Sequence, residues 1–281
     1  MTSLLVGLVL TAALLHAVWN AMAKSGGHPE FSIGAYQLVG SVICIGLSTL
    51  VPIPAREAWP ILFLSVIIHN LYYFSLARAY RVGDLSQVYP LFRGLALVLV
   101  AFGAVIFADE WLSTGTLAGI VIVSAGVISL AFRKNTLGAM PPKALFWGLT
   151  TSFLIACYTV VDGLGVRAAG NSISYILWLF IFEVVPIGFI LLLTRWRAWI
   201  EYMRERPVMV ITGGVISSTA YGLVIFAMSL GAMAVVSSLR ETSVIFAAVI
   251  GSIFLREPFG RARIRAAALV AGGIILMRVI G

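Results

Sequence analysis

Charge is the scarcest ingredient of this sequence: acidic and basic side chains together make up 11% of its 281 residues. Soluble domains carry about a quarter, and a chain so short of charge cannot cover a water-facing surface. A water-soluble globular protein is excluded, and most of the surface must face hydrocarbon. Cysteine is nearly absent as well. Cys44 and Cys157 lie in apolar stretches without CxxC or metal-ligand spacing, so neither a disulfide framework nor a metal site follows, and both read as packing residues. Residues 1–23 hold no lysine or arginine, so the basic start of a cleaved secretory signal is missing and no cleaved segment is expected.

Several chemistries are missing too. No GxxxxGK[ST] loop is present to cradle nucleotide phosphates, and ATP hydrolysis is not expected. A membrane-embedded enzyme would need HExxH or a nucleophile–base pair, neither of which occurs; no catalytic residue, metal or cofactor is implied. A sensory or structural membrane subunit would show an exposed domain or a long tail, and no linker here is long enough to hold one. The formal net charge of +8 would suggest nucleic acid in a soluble protein. The basic residues fall instead between apolar runs, without a basic patch interleaved with aromatics, and no nucleic-acid partner follows.

What the sequence has is apolar length: 61% of residues are hydrophobic and the mean hydropathy is +1.05. A spanning helix needs about 20 apolar residues. Ten such stretches fit, at about 2–24, 31–51, 59–80, 85–108, 113–132, 143–166, 172–194, 208–229, 233–255 and 261–280, separated by Gly- and Pro-bearing turns. The loops after the odd-numbered stretches hold Lys24, Arg81, Arg133, Lys134, Lys143, Arg195, Arg197, Arg204, Arg206, Arg256, Arg261, Arg263 and Arg265, whereas the other side holds Arg56, Arg167 and Arg278. The positive-inside rule puts the richer side in the cytoplasm and both termini outside.

The stretch 93–130 can be laid on 240–277 at a constant offset of 147, with Arg93 on Arg240, Glu110 on Glu257 and Gly126 on Gly273. Five spans per half force the second half to enter the membrane from the opposite side. The expected fold is an all-α integral membrane protein of ten transmembrane helices, built as two inverted five-helix repeats, 1–134 and 143–281, around a central cavity. Two similar halves of opposite orientation can exchange conformations, so a site between them opens to one side and then the other.

The chain resembles the drug/metabolite transporter superfamily of the ten-helix EamA type. The resemblance rests on His16-Ala-Val-Trp19-Asn20, the stretch from Tyr80 through Gly83 to Pro90 and Arg93, Asp109-Glu110, and Leu255-Arg256-Glu257-Pro258. It covers both halves, although the second lacks the Trp-Asn pair and carries Tyr158-Thr159 with Asp162 and Arg167 instead. It implies a basket of helices in a bacterial inner membrane that moves amino acids, nucleosides, sugars or other metabolites without ATP.

Ionisable groups inside a membrane are costly and mark function by default. Glu183, near the middle of the seventh stretch and three residues before Pro186, is a candidate for substrate-amine binding or proton coupling. Arg93 and Arg240 occupy equivalent places and can hold a carboxylate or phosphonate through a planar fork; Glu241 sits beside Arg240. His16 and His69 fall near mid-membrane, where a histidine can relay protons. Trp19, Asn20, Tyr72, Tyr73, Tyr158 and Tyr221 complete the candidates lining a cavity. Asp162, near the outer end of its helix with Arg167 five residues on, reads as a cap or bridge at the interface, with gating of entry as the alternative, and Glu110 and Glu257 read as solvated helix ends. Gly115, Gly119, Gly126, Gly272 and Gly273 read as close-packing contacts between the fifth and tenth spans. The expected substrate is a zwitterion or organic anion such as an amino acid, with an organic cation or drug-like compound as the alternative. The expected partners are that substrate, the lipid bilayer and protons as the coupling ion, in a monomer or homodimer.

Overall fold

The computed structural model describes residues 2–82, 85–131, 140–254 and 261–280, and every regular element among them is a helix. Gly83, Arg133, Lys134 and the motif 255–258 lie outside the described residues, as do the side chains of Lys24, Tyr80 and Arg261. The helices are α1 (Ser3–Ser25), α2 (Pro29–Ser48), α3 (Ala58–Val82), α4 (Leu85–Ala108), α5 (Thr114–Ile128), α6 (Pro142–Ala168), α7 (Ser172–Glu205), α8 (Pro207–Leu230), α9 (Met233–Arg240), α10 (Ser243–Phe254) and α11 (Arg261–Val279).

Their starts follow local rules. Thr2, Ser113 and Asn171 cap α1, α5 and α7 by accepting the amides of Leu5, Thr116 and Ser174 at 3.3, 3.0 and 3.0 Å, which satisfies donors that no helical carbonyl reaches. Prolines open α2, α6 and α8, where the missing N–H has no partner to lose.

Seven of the helices are long and apolar enough to cross a membrane: α1 to α4 and α6 to α8. The shorter apolar α5 has 15 residues. The protein is thus a multi-pass membrane protein, and its outer faces fit lipid: Ile43, Phe63, Ile67, Phe102, Phe189 and Leu193 are large, apolar and exposed.

Two elements depart from the ten-stretch reading. The ninth stretch is two helices, α9 of 8 residues and α10 of 12, parted by a turn at Glu241 and Thr242. There the amides of Glu241 and Thr242 reach back only three residues, to Ser238 and Leu239, at 3.1 Å each. The seventh stretch ends where expected, at a break in the helix at Arg195 (φ −143°, ψ 28°), but helical structure resumes to Glu205. This extension buries Trp199 and Tyr202 against Phe31, Ala35, Leu191 and Val210. A surface pocket of about 540 Å³ sits at the break, lined by His28, Phe31 and residues 194–198, and contains none of the candidate residues.

The most extensive packing is between α3 and α6, α5 and α11, α2 and α7, α4 and α6, and α1 and α8, with α2 also on α8 and α1 on α10. Glycine allows the α5–α11 approach: a Cβ on Gly119 or Gly273 would lie 2.7 Å from the carbonyl oxygen of the other, and one on Gly115 would lie 2.7 Å from the carbonyl of Ile280. Gly126 faces Leu269 and Ala266 in the same seam, whereas Gly272 has open space around it and takes no part. Forced overpacking costs about 1–3 kcal/mol. Gly119→Leu is therefore expected to lower the thermal unfolding midpoint in detergent, and Gly272→Leu to leave it within error.

Candidate functional site

The buried polar side chains converge on the helices that face one another across the bundle. Asp162, on α6, is fully buried. Its Oδ1 accepts the hydroxyls of Ser65 (α3) and Tyr175 (α7), the latter at 3.1 Å, and its Oδ2 accepts Tyr221 (α8) at 2.5 Å. His69 Nε2 lies 3.8 Å from the same Oδ2. Four helices thus meet on one carboxylate. This corrects the sequence reading of Asp162 as a cap or bridge at the interface, beside Arg167 near the end of α6. That reading followed from their spacing; the actual partners come from other helices, which spacing cannot show.

Around this carboxylate stand the aromatic candidates. The His69 ring stacks on Tyr158 with centroids 4.2 Å apart and meets Tyr221 edge-on at 5.5 Å. Tyr72 contacts both Tyr158 and Tyr73, at 5.4 and 5.0 Å. Tyr73 donates its hydroxyl to Glu183 Oε1 at 3.0 Å, and Gln37 Nε2 from α2 donates to the same oxygen at 3.3 Å. Glu183 is 5% exposed, and Oε2 accepts no hydrogen bond from the described residues. Pro186, inside α7, withholds the amide that would bond the Phe182 carbonyl one turn back, next to Glu183.

The arginines form the second centre. Arg93 (α4) grips Glu241 with two donors, Nε to Oε2 at 3.3 Å and a terminal nitrogen to Oε1, the bidentate geometry that suits a guanidinium best. Arg240 approaches that carboxylate only to 4.0 Å, and its Nε, on a residue 3% exposed, has no hydrogen-bond partner among the described residues. Two buried cations therefore share one carboxylate, and the sequence neighbour of Glu241 is not its main partner. The helix break explains why: the turn after Arg240 swings Glu241 toward α4. Arg93 and Arg240 both act electrostatically on His16 (α1) and on Tyr72. His16 packs against Trp19 at 5.2 Å, and Asn20 turns back on its own helix, donating to the His16 carbonyl at 2.7 Å. Trp19, Asn20, Tyr72, Tyr73 and Tyr221 remain half-buried, unlike the charged groups behind them.

Arg167 belongs to a separate cluster. It pairs with Glu110 at 2.5 Å and donates to the carbonyls of Met228 and Gly231 at 3.0 and 2.8 Å. Glu110 also accepts the Met233 amide at 2.8 Å. Asp109, at φ 51° with its carboxylate on the Trp111 indole at 2.7 Å, makes the turn that aims Glu110 there. Glu110 is therefore a clasp joining the ends of α4, α6, α8 and α9 rather than a solvated helix end. Glu257, its counterpart in the repeat, lies outside the described residues.

Removing one partner of a buried ion pair costs about 3–5 kcal/mol because the other charge is stranded. Arg93→Ala is expected to destabilise the protein severely in a detergent thermal melt, with partial recovery in Arg93→Ala/Glu241→Ala. Arg240→Gln should cost far less, since Glu241 keeps its bidentate grip from Arg93 and Arg240 Nε has no hydrogen bond to lose among the described residues.

Residues 142–279 match the EamA-like transporter family. No curated protein matches the chain. Among solved structures, one crystal structure superposes with a TM-score of 0.77 at 16% identity, covering 100% of this chain and 98% of the other. That likeness speaks for the fold of both halves. The second half is an EamA-like transporter domain, of the drug/metabolite transporter superfamily.

Proposed function

We propose that this protein is a secondary transporter that carries a small zwitterion or organic anion, such as an amino acid, across a bacterial inner membrane by alternating access. The two moving units are the halves 1–134 and 143–281, inverted with respect to each other. The offset of 147 between 93–130 and 240–277 supports the relation. So does the packing. If the five helices of the first half correspond in order to α6, α7, α8, the broken α9–α10 and α11, then α3 on α6 exchanges with α8 on α1 and α4 on α6 with α10 on α1. Under the same exchange, α2 on α7 and α5 on α11 map onto themselves. The broken α9–α10 also suits a transporter, because interrupted helices place polar backbone and side chains at membrane depth.

The observation that carries the substrate class is Arg240: a buried guanidinium with no hydrogen bond at Nε among the described residues and a neighbouring carboxylate, that of Glu241, already gripped by Arg93. A substrate carboxylate satisfies it. Glu183 Oε2, open beside Tyr73, offers the complementary place for a substrate amine, and Tyr72 joins the two regions, adjacent to Tyr73 and within the field of Arg240. The Glu110–Arg167 clasp closes the mouth on the side where α4, α6, α8 and α9 end.

Uptake into proteoliposomes, screened with amino acids, dicarboxylates, nucleosides and quaternary amines, tests the reading. Saturable uptake of an amino acid or carboxylate is expected, falling at least about tenfold in Arg240→Gln, the loss of one charge-assisted hydrogen bond. Uptake of cations alone contradicts it. For orientation, a reporter fluorescent only in the cytoplasm and fused after Gly281 is expected to be dark, and a bright one reverses the topology.

A further inference from the structure

Asp162 and His69 differ from the groups that face a substrate, because the structure has already used their bonding capacity except at one atom. Both oxygens of Asp162 are engaged by hydroxyl donors, those of Ser65, Tyr175 and Tyr221. His69 is held by the same serine. Its Nδ1 lies 3.0 Å from the Ser65 carbonyl oxygen, which can only accept, so Nδ1 carries a hydrogen. The Ser65 hydroxyl, 3.1 Å from Nδ1, gives its own hydrogen to Asp162. The tautomer is thereby fixed, and Nε2 is the one ring position left to titrate. It makes no hydrogen bond with the described residues and sits 3.8 Å from Asp162 Oδ2. In the neutral ring a lone pair faces a carboxylate there; with a proton added, the contact becomes an ion pair. Glu183 of α7 also acts on the ring, although its Oε1 already holds Tyr73 and Gln37. Tyr158 of α6 stacks on the ring, Tyr221 of α8 meets its edge, and Tyr72 of α3 reaches Tyr158. The arginine of α4 is turned to Glu241.

We propose that His69 Nε2, with Asp162 as its fixed counter-charge, is a proton-binding site that couples transport to the proton gradient, separate from Arg240 and Glu183. A proton enters from one aqueous side, forms an N–H bond at Nε2 and leaves to the other side; no other bond changes. The coupling rests on the transporter reading, whereas the proton site can be tested without it.

Nitrogen-15 NMR of imidazole-labelled protein in lipid nanodiscs, with His16→Asn and His28→Asn to leave one histidine, reads the tautomer directly. The neutral ring is expected to show Nδ1 protonated and Nε2 bare, and to gain the Nε2 proton as pH falls. Asp162→Asn should change that titration. A ring protonated at Nε2 while neutral, or one that never titrates, overturns the site. In proteoliposomes loaded with any solute transported from the panel above, a gradient of one pH unit drives about a tenfold change in accumulation per coupled proton. That ratio is expected to collapse to one in His69→Gln. A wild-type ratio of one, or an unchanged ratio in His69→Gln, defeats the coupling and leaves the transporter reading standing; no transport of any solute defeats both.

Discussion

Everything in the middle of this protein answers to one constraint: a charge placed in hydrocarbon must find its partner inside the protein. The Arg93–Glu241 pair shows how closely the fold is arranged around it. Glu241 can meet Arg93 because the helix containing it breaks after Arg240, and the break lets the turn carry the carboxylate toward α4. A native fold is stable by only about 5–15 kcal/mol, so a stranded buried charge worth several kcal/mol is enough to decide whether this arrangement persists. The same constraint holds Asp162, which draws donors from three helices besides its own.

Two kinds of buried charge result. Arg93, Glu241 and Asp162 are satisfied by the protein itself. Among the described residues Arg240 Nε and Glu183 Oε2 keep unfilled bonding capacity, and half-buried Tyr73, on Glu183, adjoins Tyr72. In the proposed cycle the first kind keeps the bundle in register while the second is completed by substrate. The clasp of Glu110 and Arg167 has the character of the first kind but sits at helix ends, where breaking it opens a mouth instead of disrupting the centre.

Most of the fold was legible in the sequence, because apolar length and short punctuated loops leave few alternatives. The reading placed the start of each of its ten stretches within two residues of a helix start, and its end of the seventh span falls at the break at Arg195. It missed the division of α9 from α10: the stretch 233–255 is long enough for one span, and the polar cluster of Ser237, Ser238, Arg240, Glu241, Thr242 and Ser243 marks the break. It also missed the resumption of α7, whose basic surface hides Trp199 and Tyr202 on the inner side. At the site, Glu183, Arg93 and Arg240 stood out because charge in such a sequence is rare. Asp162 was visible, but its role was not, since Arg167 five residues on is a nearer explanation than Ser65, Tyr175 and Tyr221 on three other helices. Gln37 carried no signal beyond being a polar side chain in an apolar run.

The central proposal is that the polar middle of the bundle is reached by water from each face in turn. Single cysteines replacing Asn20 or Tyr221, in a Cys44→Ala/Cys157→Ala background, measure this with a membrane-impermeant thiol reagent applied to one side of sealed vesicles at a time. The account predicts labelling from both sides, with added substrate changing the balance between them. Labelling from one side only under all conditions, or from neither, contradicts it.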